Sequence, residues 1–413
     1  MKILHVVATA EGAPWMVALA REQQRLGHEV AAVIPSLDGG LARDLARAGI
    51  AAHAAPVDVR ALLRLVALLR RLRPDVVHSH IFPSVIAARL ASWLADAPIH
   101  LGGNVHPISL ESDSMRALEI GTAFCDTKTI ASCRYTRELY VAHGVPAEQV
   151  ELIHYAVDQS GHDPALADGA RVRRELGLAP DTPVVGMIAY FYPPPRTPAV
   201  VPPELRGRGV KGHDVLLRAV PLVLQQVPGA KFVLVGRGWG PDGARYEQDL
   251  KDLAASLGVA HAVLFPGERT DVPDVLASFD VSVHCSLSDN LGGTVESLLM
   301  ERPMVVSDIL GFADTVLHEE TGLVVPKDDP RALADAIVLL LRDRELAARL
   351  GRNGRAYMLS RFTLAHAAAE TEALLATLPR RRGYRLTRTI ARLVAAPFRL
   401  LPIALAARRA LRS

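Results

Sequence analysis

Short runs of aliphatic and β-branched residues alternate along this chain with longer segments whose apolar residues recur at three- and four-residue steps. The run "KILHVV" precedes "WMVALAREQQRLG", for example, and "DVVHSH" precedes "PSVIAARLASWLAD". Short apolar runs predict buried strands, and the three- and four-residue spacing predicts amphipathic helices. Strands that alternate with helices in this way indicate βαβ units and parallel sheets. The pattern therefore predicts an α/β protein.

The alternation pauses once, in a polar and turn-rich stretch at about 158–182, and resumes at "PVVGMIAY". A chain of 413 residues is also longer than one average domain. We therefore predict two doubly wound domains, joined near the pause, followed by a helix that packs back toward the first domain and by a separate tail. The predicted boundaries are 1–165, 166–360, 361–379 and 380–413.

Composition excludes several classes of protein. Half of the residues are hydrophobic and 22% are charged, which excludes wholesale disorder. The three cysteines are odd in number and lack Cys-x-x-Cys spacing, so neither a disulfide framework nor a zinc knuckle is indicated and a reducing cytoplasm is expected. No stretch of 18 apolar residues predicts a membrane-spanning helix. The N-terminal "MKILHVVATA" is interpreted as a first strand rather than a signal peptide.

The charge is distributed unevenly. Ten of the 47 basic residues are arginines in 380–413, a segment without acids, so the other residues carry 37 basic against 44 acidic side chains. Apolar residues of the tail recur at helical spacing, and Pro397 and Pro402 interrupt them. A basic amphipathic segment is typical of binding to an anionic membrane surface. A protein-binding or disordered tail is the alternative, and sparse aromatic residues disfavour nucleic acid.

The most informative stretch is "SLSDNLGGTVESLLMERPMVVS", residues 286–307. It turns from a strand into a helix, and such turns lie at the carboxyl edge of the sheet. Glycines at 292–293 allow close backbone approach, while the amides of Thr294 and Val295 at a helix N-terminus favour an anion such as phosphate. Glu296 would repel a phosphate unless it faces hydroxyl groups. A nucleotide sugar, with a central diphosphate and hydroxyls at both ends, satisfies all of these groups.

This stretch resembles the Glu-x7-Glu signature of retaining family 4 glycosyltransferases. The resemblance covers about residues 1–375, because "RLGHEVAAVIP", "RPDVVHSH", "GVKGHDVLLRAV" and "ETGLVVPKDDP" match further family segments in the right order. It implies the GT-B fold, in which two Rossmann-like domains face a central cleft. It also implies transfer of a sugar from a nucleotide-diphospho-sugar with retention of anomeric configuration.

The resemblance assigns roles to individual residues. Lys211 is expected to neutralise the leaving diphosphate, and His106 in "GGNVHP" to lie near the reacting centre. Glu296 is expected to bind the ribose hydroxyls, and Asp289 the hydroxyls of the donor sugar. The loop that carries Gly12 would approach the donor. The remaining donor-binding residues implied are Asn290, Leu291, Gly292, Gly293, Thr294, Val295 and Arg208.

The chain departs from the family pattern in three places that bear on these roles. One glycine, Gly12, precedes "APW", where the family often has a pair. Six residues, not seven, separate Asp289 from Glu296, and the first acid is Asp. The arginine that often follows the first strand of the second domain is replaced by "IAYFY". A proline-rich loop at 193–212 follows this segment. The loop is either on the ligand side of the sheet or a solvent-exposed insertion. The arginines of that loop that could supply the missing charge are Arg196, Arg206 and Arg208.

No Asp-x-Asp triplet occurs in the chain, so metal-independent transfer without any cofactor beyond the nucleotide sugar is expected. His78 and His80 have a spacing that could ligate a metal, but no third ligand is evident, and a structural role is predicted. "VGRGWG" at 235–240 lacks the last glycine of a dinucleotide fingerprint and is predicted to be a ligand-side turn.

The predicted function is therefore a glycosyltransferase of polysaccharide biosynthesis, cytoplasmic and peripheral on the inner face of the membrane. Its expected partners are the nucleotide-sugar donor, a glycan or lipid-linked acceptor and the anionic membrane surface. Two alternatives stay open. One is a non-catalytic nucleotide-sugar-binding protein on the same scaffold, and the other is a sugar phosphorylase or epimerase of the same architecture.

Overall fold

The structure is a computed structural model that describes residues 1–57, 61–103, 105–195 and 201–378. The chain divides into two compact units. Among the described residues, the N-terminal unit comprises Met1–Ala156, 201–202 and 364–378, and the C-terminal unit comprises 157–195 and Pro203–Thr363. The predicted tail at 380–413 and Arg196 lie outside the described residues.

The division falls at Ala156–Val157, nine residues before the predicted boundary at 165. Backbone contacts explain the difference. Val157 forms a bridge with Thr363, and the guanidinium of Arg355 donates to the carbonyl of His162 at 2.9 Å. The polar stretch therefore begins the C-terminal unit instead of ending the N-terminal one.

The N-terminal unit is built on a seven-stranded sheet in which all pairings are parallel, in the order β3-β2-β1-β4-β5-β6-β7. The order reverses between β1 and β4, as in doubly wound folds. The strands are β1 Lys2–Val7, β2 Glu29–Ile34, β3 Ala51–Ala54, β4 Val76–His80, β5 Ile99–Gly103, β6 Lys128–Ala131 and β7 Val150–Leu152. The helices are α1 Pro14–Arg25, α2 Gly40–Arg47, α3 Leu62–Leu72, α4 Ser84–Ala95, α5 Ile108–Glu111, α6 Asp113–Thr122, α7 Arg134–Ala142 and α15 Leu364–Thr377.

The C-terminal unit repeats the architecture with a six-stranded parallel sheet in the order β10-β9-β8-β11-β12-β13. Its order reverses between β8 and β11. The strands are β8 Val184–Ile188, β9 Lys231–Val235, β10 Val263–Gly267, β11 Val281–His284, β12 Met304–Ser307 and β13 Leu323–Val325. The helices are α8 Gly169–Glu175, α9 His213–Gln226, α10 Gly243–Ser256, α11 Val272–Ala277, α12 Thr294–Leu299, α13 Pro330–Arg342 and α14 Arg344–Arg361.

Hydrophobic cores cover the two faces of the N-terminal sheet. Residues such as Ile3 and Val7 pack on one face with α1, α2 and α15, while Leu4 and Val6 pack on the other with α3 and α4. Parallel strands buried on both faces read as continuous apolar runs, which is why the strand pattern was visible in the sequence. Within the described ranges, no helix combines the length and the apolarity needed to cross a bilayer.

A fully buried ionic network ties α4 to the strands of the N-terminal unit. Arg89 pairs with Glu119 at 2.6 Å and with Asp126 at 2.7 Å, and the ring of His100 contacts Asp126 at 2.7 Å. Burial alone would raise the pKa of Asp126, but the neighbouring Arg89 and His100 outweigh burial and lower it. The hydroxyl of Thr129 also donates to this carboxylate. Asp126 is therefore the acceptor on which the network converges.

We expect Asp126→Ala to destabilise the N-terminal unit by about 3–5 kcal/mol, because it leaves a buried guanidinium without its main partner. The free energy of unfolding, measured with urea, checks this. Asp44→Ala, which removes an exposed pair with Arg47, is the matched control and should change little. Equal effects of the two substitutions would contradict the role assigned to the network.

Candidate active site

The residues predicted from the C-terminal half come together where the strand order of its sheet reverses. Lys211 ends the connection that follows β8, and the segment 289–296 follows β11. Because β8 and β11 are neighbours and parallel, their carboxyl ends lie side by side. This is the position at which open α/β sheets bind ligands.

A buried ion pair joins the two connections. The ammonium of Lys211 donates to Oδ2 of Asp289 at 2.5 Å, and the side chains are 15% and 1% exposed. Burial works against the charged ammonium, but the carboxylates of Asp289 and Glu296 help to outweigh it and the pKa of Lys211 is raised. Lys211 is therefore a fixed positive charge at neutral pH.

Close packing of the backbone positions Lys211. Gly212 has φ +71°, and a Cβ atom there would lie 2.0 Å from the carbonyl oxygen of Cys285. On the other side of Lys211 in the sequence, the carbonyl of Val210 accepts from the amide of Leu287 at 2.8 Å. Only glycine allows this approach, so the Lys-Gly pair of the sequence holds the lysine against the end of β11.

Asp289 uses both of its oxygens on protein groups. Oδ2 accepts from the hydroxyl of Ser286 at 3.0 Å as well as from Lys211, and Oδ1 accepts from the backbone N–H of Asn290 at 3.0 Å. The resemblance implied contact with hydroxyls of the donor sugar. In the described structure the carboxylate of Asp289 orients the lysine, and its contact with the donor sugar stays a prediction.

The glycine turn at 292–293 is shaped by its neighbours. Gly292 has φ +53° and donates its N–H to the side-chain oxygen of Asn290 at 3.3 Å. A Cβ atom at Gly293 would come within 2.7 Å of the ring of His284. Both glycines are thus required by backbone conformation or close approach.

The predicted row of free amides is shorter than the sequence indicated. The amide of Thr294 donates to the carbonyl of Leu291 at 3.3 Å, so it is used within the turn. Within the described part of the chain, the amides of Gly293 and Val295 have no such acceptor. Leu291 and Thr294 are buried, and the hydroxyl of Thr294 contacts the carbonyl of Leu291 and the hydroxyl of Thr315.

Glu296 lies in the first turn of α12. Its Oε2 is buried and has no hydrogen-bond partner among the described residues. Burial raises the pKa of Glu296, against the opposing effects of its own backbone N–H, of His162 and of Lys211. A buried carboxylate oxygen without a donor is costly, and a ligand hydroxyl would satisfy it. His162 is a neighbour that the sequence alone did not single out.

Arg208 does not provide a free cation. Its guanidinium pairs with Asp214 at 2.7 Å and with Asp328 at 2.5 Å. The aromatic ring that follows β8 lies near the lysine instead, with the Lys211 nitrogen 5.8 Å from the ring centre of Tyr192. Tyr192 is therefore near the lysine in the segment where the family pattern has an arginine.

Sequence analysis missed an aromatic group beside this position. The ring of Tyr190 lies 4.6 Å from that of Trp239, and Tyr192 lies 5.6 Å from Trp239. Arg237 stacks over Tyr190 and Trp239 and pairs with Glu268 at 2.6 Å. The aromatic run "YFY" and the tryptophan of "VGRGWG" were the available signal, since both follow strands at the same sheet edge.

Two predicted residues belong to the N-terminal unit. Gly12, with φ +73°, lies in the connection from β1 to α1. His106 follows β5, and its Nδ1 accepts from the amide of Ile108 at 3.4 Å. Both follow the carboxyl ends of strands, as expected for ligand-side loops.

Two family models match the chain. One described as a glycosyl transferase 4-like domain matches residues 13–156, and one described as glycosyl transferases group 1 matches residues 205–343. The chain belongs to the family 4 glycosyltransferases.

Three curated relatives of this family member are 25–28% identical over part of its length. A D-inositol 3-phosphate glycosyltransferase of Nocardia farcinica is 27% identical over 71% of this chain and 64% of its own. A lipopolysaccharide core biosynthesis mannosyltransferase of Rhizobium meliloti is 28% identical over 55% and 61%. An Escherichia coli galactosyltransferase named for a diphosphoundecaprenol-linked substrate is 25% identical over 74% and 76%. The chain thus spans less than two thirds of the length of the first two relatives.

Solved structures show the fold. Anabaena HepE, crystallised with UDP and glucose, is 20% identical, with a TM-score of 0.79 over 92% of this chain and all of its own. A sucrose-phosphate synthase of Thermosynechococcus elongatus is 18% identical, with a TM-score of 0.72 over 92% and 99%. The GT-B fold implied by the sequence motifs is confirmed for this glycosyltransferase family member.

We expect Gly212→Ala to lower the free energy of unfolding of the C-terminal unit by roughly 2–4 kcal/mol, since it adds left-handed strain to a clash with Cys285. Denaturant unfolding checks this. Gly177→Ala is the matched control, because Gly177 has φ +68° with no atom within 4 Å of an added Cβ. Gly177→Ala should lower the free energy of unfolding only by the cost of placing alanine in a left-handed conformation. An equal decrease for Gly212→Ala and Gly177→Ala would show that the close approach to Cys285 adds nothing.

Proposed function

We propose that the protein is a glycosyltransferase that takes a sugar from a nucleotide-diphospho-sugar and retains its anomeric configuration. The observation that carries the proposal is the pairing of Lys211 with Asp289 beside the unpartnered oxygen of Glu296, all at the reversal point of the C-terminal sheet. Family membership supports it, and so do the relatives, which are named as glycosyltransferases.

Cleavage of the bond between sugar and diphosphate develops negative charge on the leaving phosphate. A fixed cation stabilises that charge most effectively where it is buried and already oriented. Lys211 meets both conditions, because Asp289 and the Gly212 contact hold it in place. The free amides of Gly293 and Val295 add donors for phosphate oxygens. We propose that these groups together make transfer independent of a metal ion.

Glu296 is proposed to bind the ribose. Its Oε2 needs a hydrogen-bond donor, and vicinal hydroxyls supply two donors to one carboxylate. The raised pKa of Glu296 reflects burial, and a hydroxyl donor that favours the ionised form would lower it. The rings of Tyr190 and Trp239 offer apolar faces at the same sheet edge.

The acceptor is proposed to be a lipid-linked or cell-envelope glycan. Two relatives are named for lipid substrates, one for a diphosphoundecaprenol sugar and one for phosphatidylinositol monomannoside. The ten arginines of 380–413 would bring the enzyme to an anionic membrane surface, on the cytoplasmic side where nucleotide sugars are used.

Substitutions in the donor site test the proposal. We expect Lys211→Ala and Glu296→Ala each to reduce sugar transfer by two or more orders of magnitude, with Glu296→Ala also weakening nucleotide binding. UDP-, GDP- and ADP-sugars should first be screened for thermal stabilisation, and transfer then assayed with the stabilising donor. Lys231→Ala, which removes an exposed lysine on β9, is the matched control. Near-normal turnover in the Lys211 or Glu296 variant would contradict the assignment.

The tail has its own test. Replacing five of its arginines (380, 381, 382, 385 and 388) with glutamine should reduce binding to vesicles that contain anionic lipid by more than tenfold, since each charge contributes about 1 kcal/mol near the surface. The same five positions changed to lysine keep the charge and serve as the control. If the glutamine variant co-sediments with the vesicles as well as the unchanged protein does, the proposed binding to membranes is wrong. The proposed use of a nucleotide-sugar donor would not be affected by that result.

A non-catalytic sugar-nucleotide-binding protein is the second candidate. It is favoured by the shortened spacing of the two acids and by the engagement of both Asp289 oxygens with protein groups. Donor binding without transfer or hydrolysis by the purified protein would support it.

A further inference from the structure

Three buried histidines meet at the reversal point of the N-terminal sheet. His5 lies on β1 directly opposite His78 on β4, and His80 follows on the same face of β4. Each side chain offers a ring nitrogen, and the three nitrogens all lie within 4.8 Å of one another. No other group of three histidine, cysteine or acidic side chains has its ligand atoms this close in the ranges that the structure describes.

The tautomer of His5 is set by its neighbour on α1. Nε2 of His5 contacts Oε1 of Gln23 at 2.8 Å, and this carbonyl oxygen can only accept, so Nε2 carries the proton. Nδ1 of His5 therefore accepts a hydrogen bond from Nε2 of His80 at 2.8 Å, and a metal ion at this point would replace the shared proton. A histidine that donates one N–H to a carbonyl and offers the other nitrogen is the arrangement found in metal sites.

His78 has no partner to explain its burial. The side chain is 3% exposed, and both ring nitrogens lack a hydrogen bond among the described residues. Its ring centre lies 4.1 Å from that of His80 and 5.4 Å from that of His5. Burying an imidazole without hydrogen bonds is costly, and a site that binds its lone pair offsets this cost.

The spacing is close to that of a metal centre. Three atoms no more than 4.8 Å apart lie within about 2.8 Å of a common point. A zinc–nitrogen bond is about 2.0–2.1 Å long, so modest rotations of the rings would complete the site. Burial lowers the pKa of all three histidines, that of His5 to about 4, and they are neutral, as ligands must be.

We propose that His5, His78 and His80 bind one divalent transition-metal ion, with zinc as the favoured ion and Gln23 as the residue that orients His5. Imidazole ligands suit zinc, copper and nickel, and exclude magnesium and calcium, which take oxygen ligands. The three histidines belong to the N-terminal unit, whereas Lys211, Asp289 and Glu296 belong to the C-terminal unit. Its role is structural, because it cross-links the two central strands β1 and β4.

A cavity borders one of the three histidines. His78 and Trp15 line a cavity that Tyr155 and Thr371 also border. Three protein ligands leave one position of a tetrahedral ion open, and this cavity can supply a water molecule to it.

The test uses the full-length chain without an affinity tag, stripped with a chelator and then dialysed against zinc or cobalt. We expect one equivalent of metal by mass spectrometry, a tetrahedral visible spectrum with cobalt, and an unfolding temperature that rises by roughly 5 °C or more at one hundred times Kd. Failure of the native chain to bind either metal would overturn the proposal.

Variants separate a metal site from a structural histidine cluster. His78→Leu fills the same apolar space, so the chain should still fold, but zinc binding and the zinc-dependent rise in unfolding temperature should be lost. Gln23→Leu should weaken zinc binding by about 10–100-fold while leaving one equivalent bound at saturation. His213→Leu is the matched control, since His213 is an equally buried histidine outside the cluster. Unchanged zinc affinity in His78→Leu, or an equal loss in His213→Leu, would refute the assignment.

Discussion

The strands at the centre of both sheets are buried on both faces, so a polar side chain on them needs a partner or carries an energetic cost. This constraint separates two kinds of buried polar group in the protein. Arg89 pairs with Asp126 and Glu119 and holds α4 to its neighbours. His78 and Glu296 each have a buried polar atom without a partner among the described residues. His78 lies in the middle of β4 and Glu296 follows β11, and both strands lie at a reversal point of their sheet. Such atoms are where ligands lower the free energy of the folded protein.

The pair formed by Lys211 and Asp289 is buried and paired, and it also lies at the proposed ligand site. Its charges compensate each other, yet a buried ion pair rarely adds net stability relative to apolar residues of similar size. Its retention is understandable if the ammonium is needed for chemistry. A cation held in a site of low dielectric can stabilise the negative charge that develops on the phosphate without first changing its own position. Such electrostatic stabilisation of the transition state is the largest contribution to catalysis in many enzymes. The close contact at Gly212 serves the same end, because it limits where the lysine can lie.

Departures from the family signature acquire a physical meaning in the structure. The first acid is one residue nearer to Glu296 and one methylene shorter, and it is turned toward Lys211 and Ser286. Tyr192, whose ring is near Lys211, lies where a second positive charge would be expected. An uncharged neighbour makes the site less positive than an arginine would. The lysine and the turn amides are therefore the groups that we propose for phosphate binding.

The sequence alone determined the features that depend on local pattern. Strand and helix periodicity predicted the α/β class, and the motifs around Lys211 and Glu296 predicted the fold family, because residues within one turn report their own backbone. Contacts between distant segments were decided only by the tertiary structure. Pairing of β1 with β4 brings His5 to His78 across 73 residues of chain, and no spacing in the sequence reports this. The same reason explains why Arg208 was expected at the donor and lies between Asp214 and Asp328: side-chain partners are chosen by packing in space.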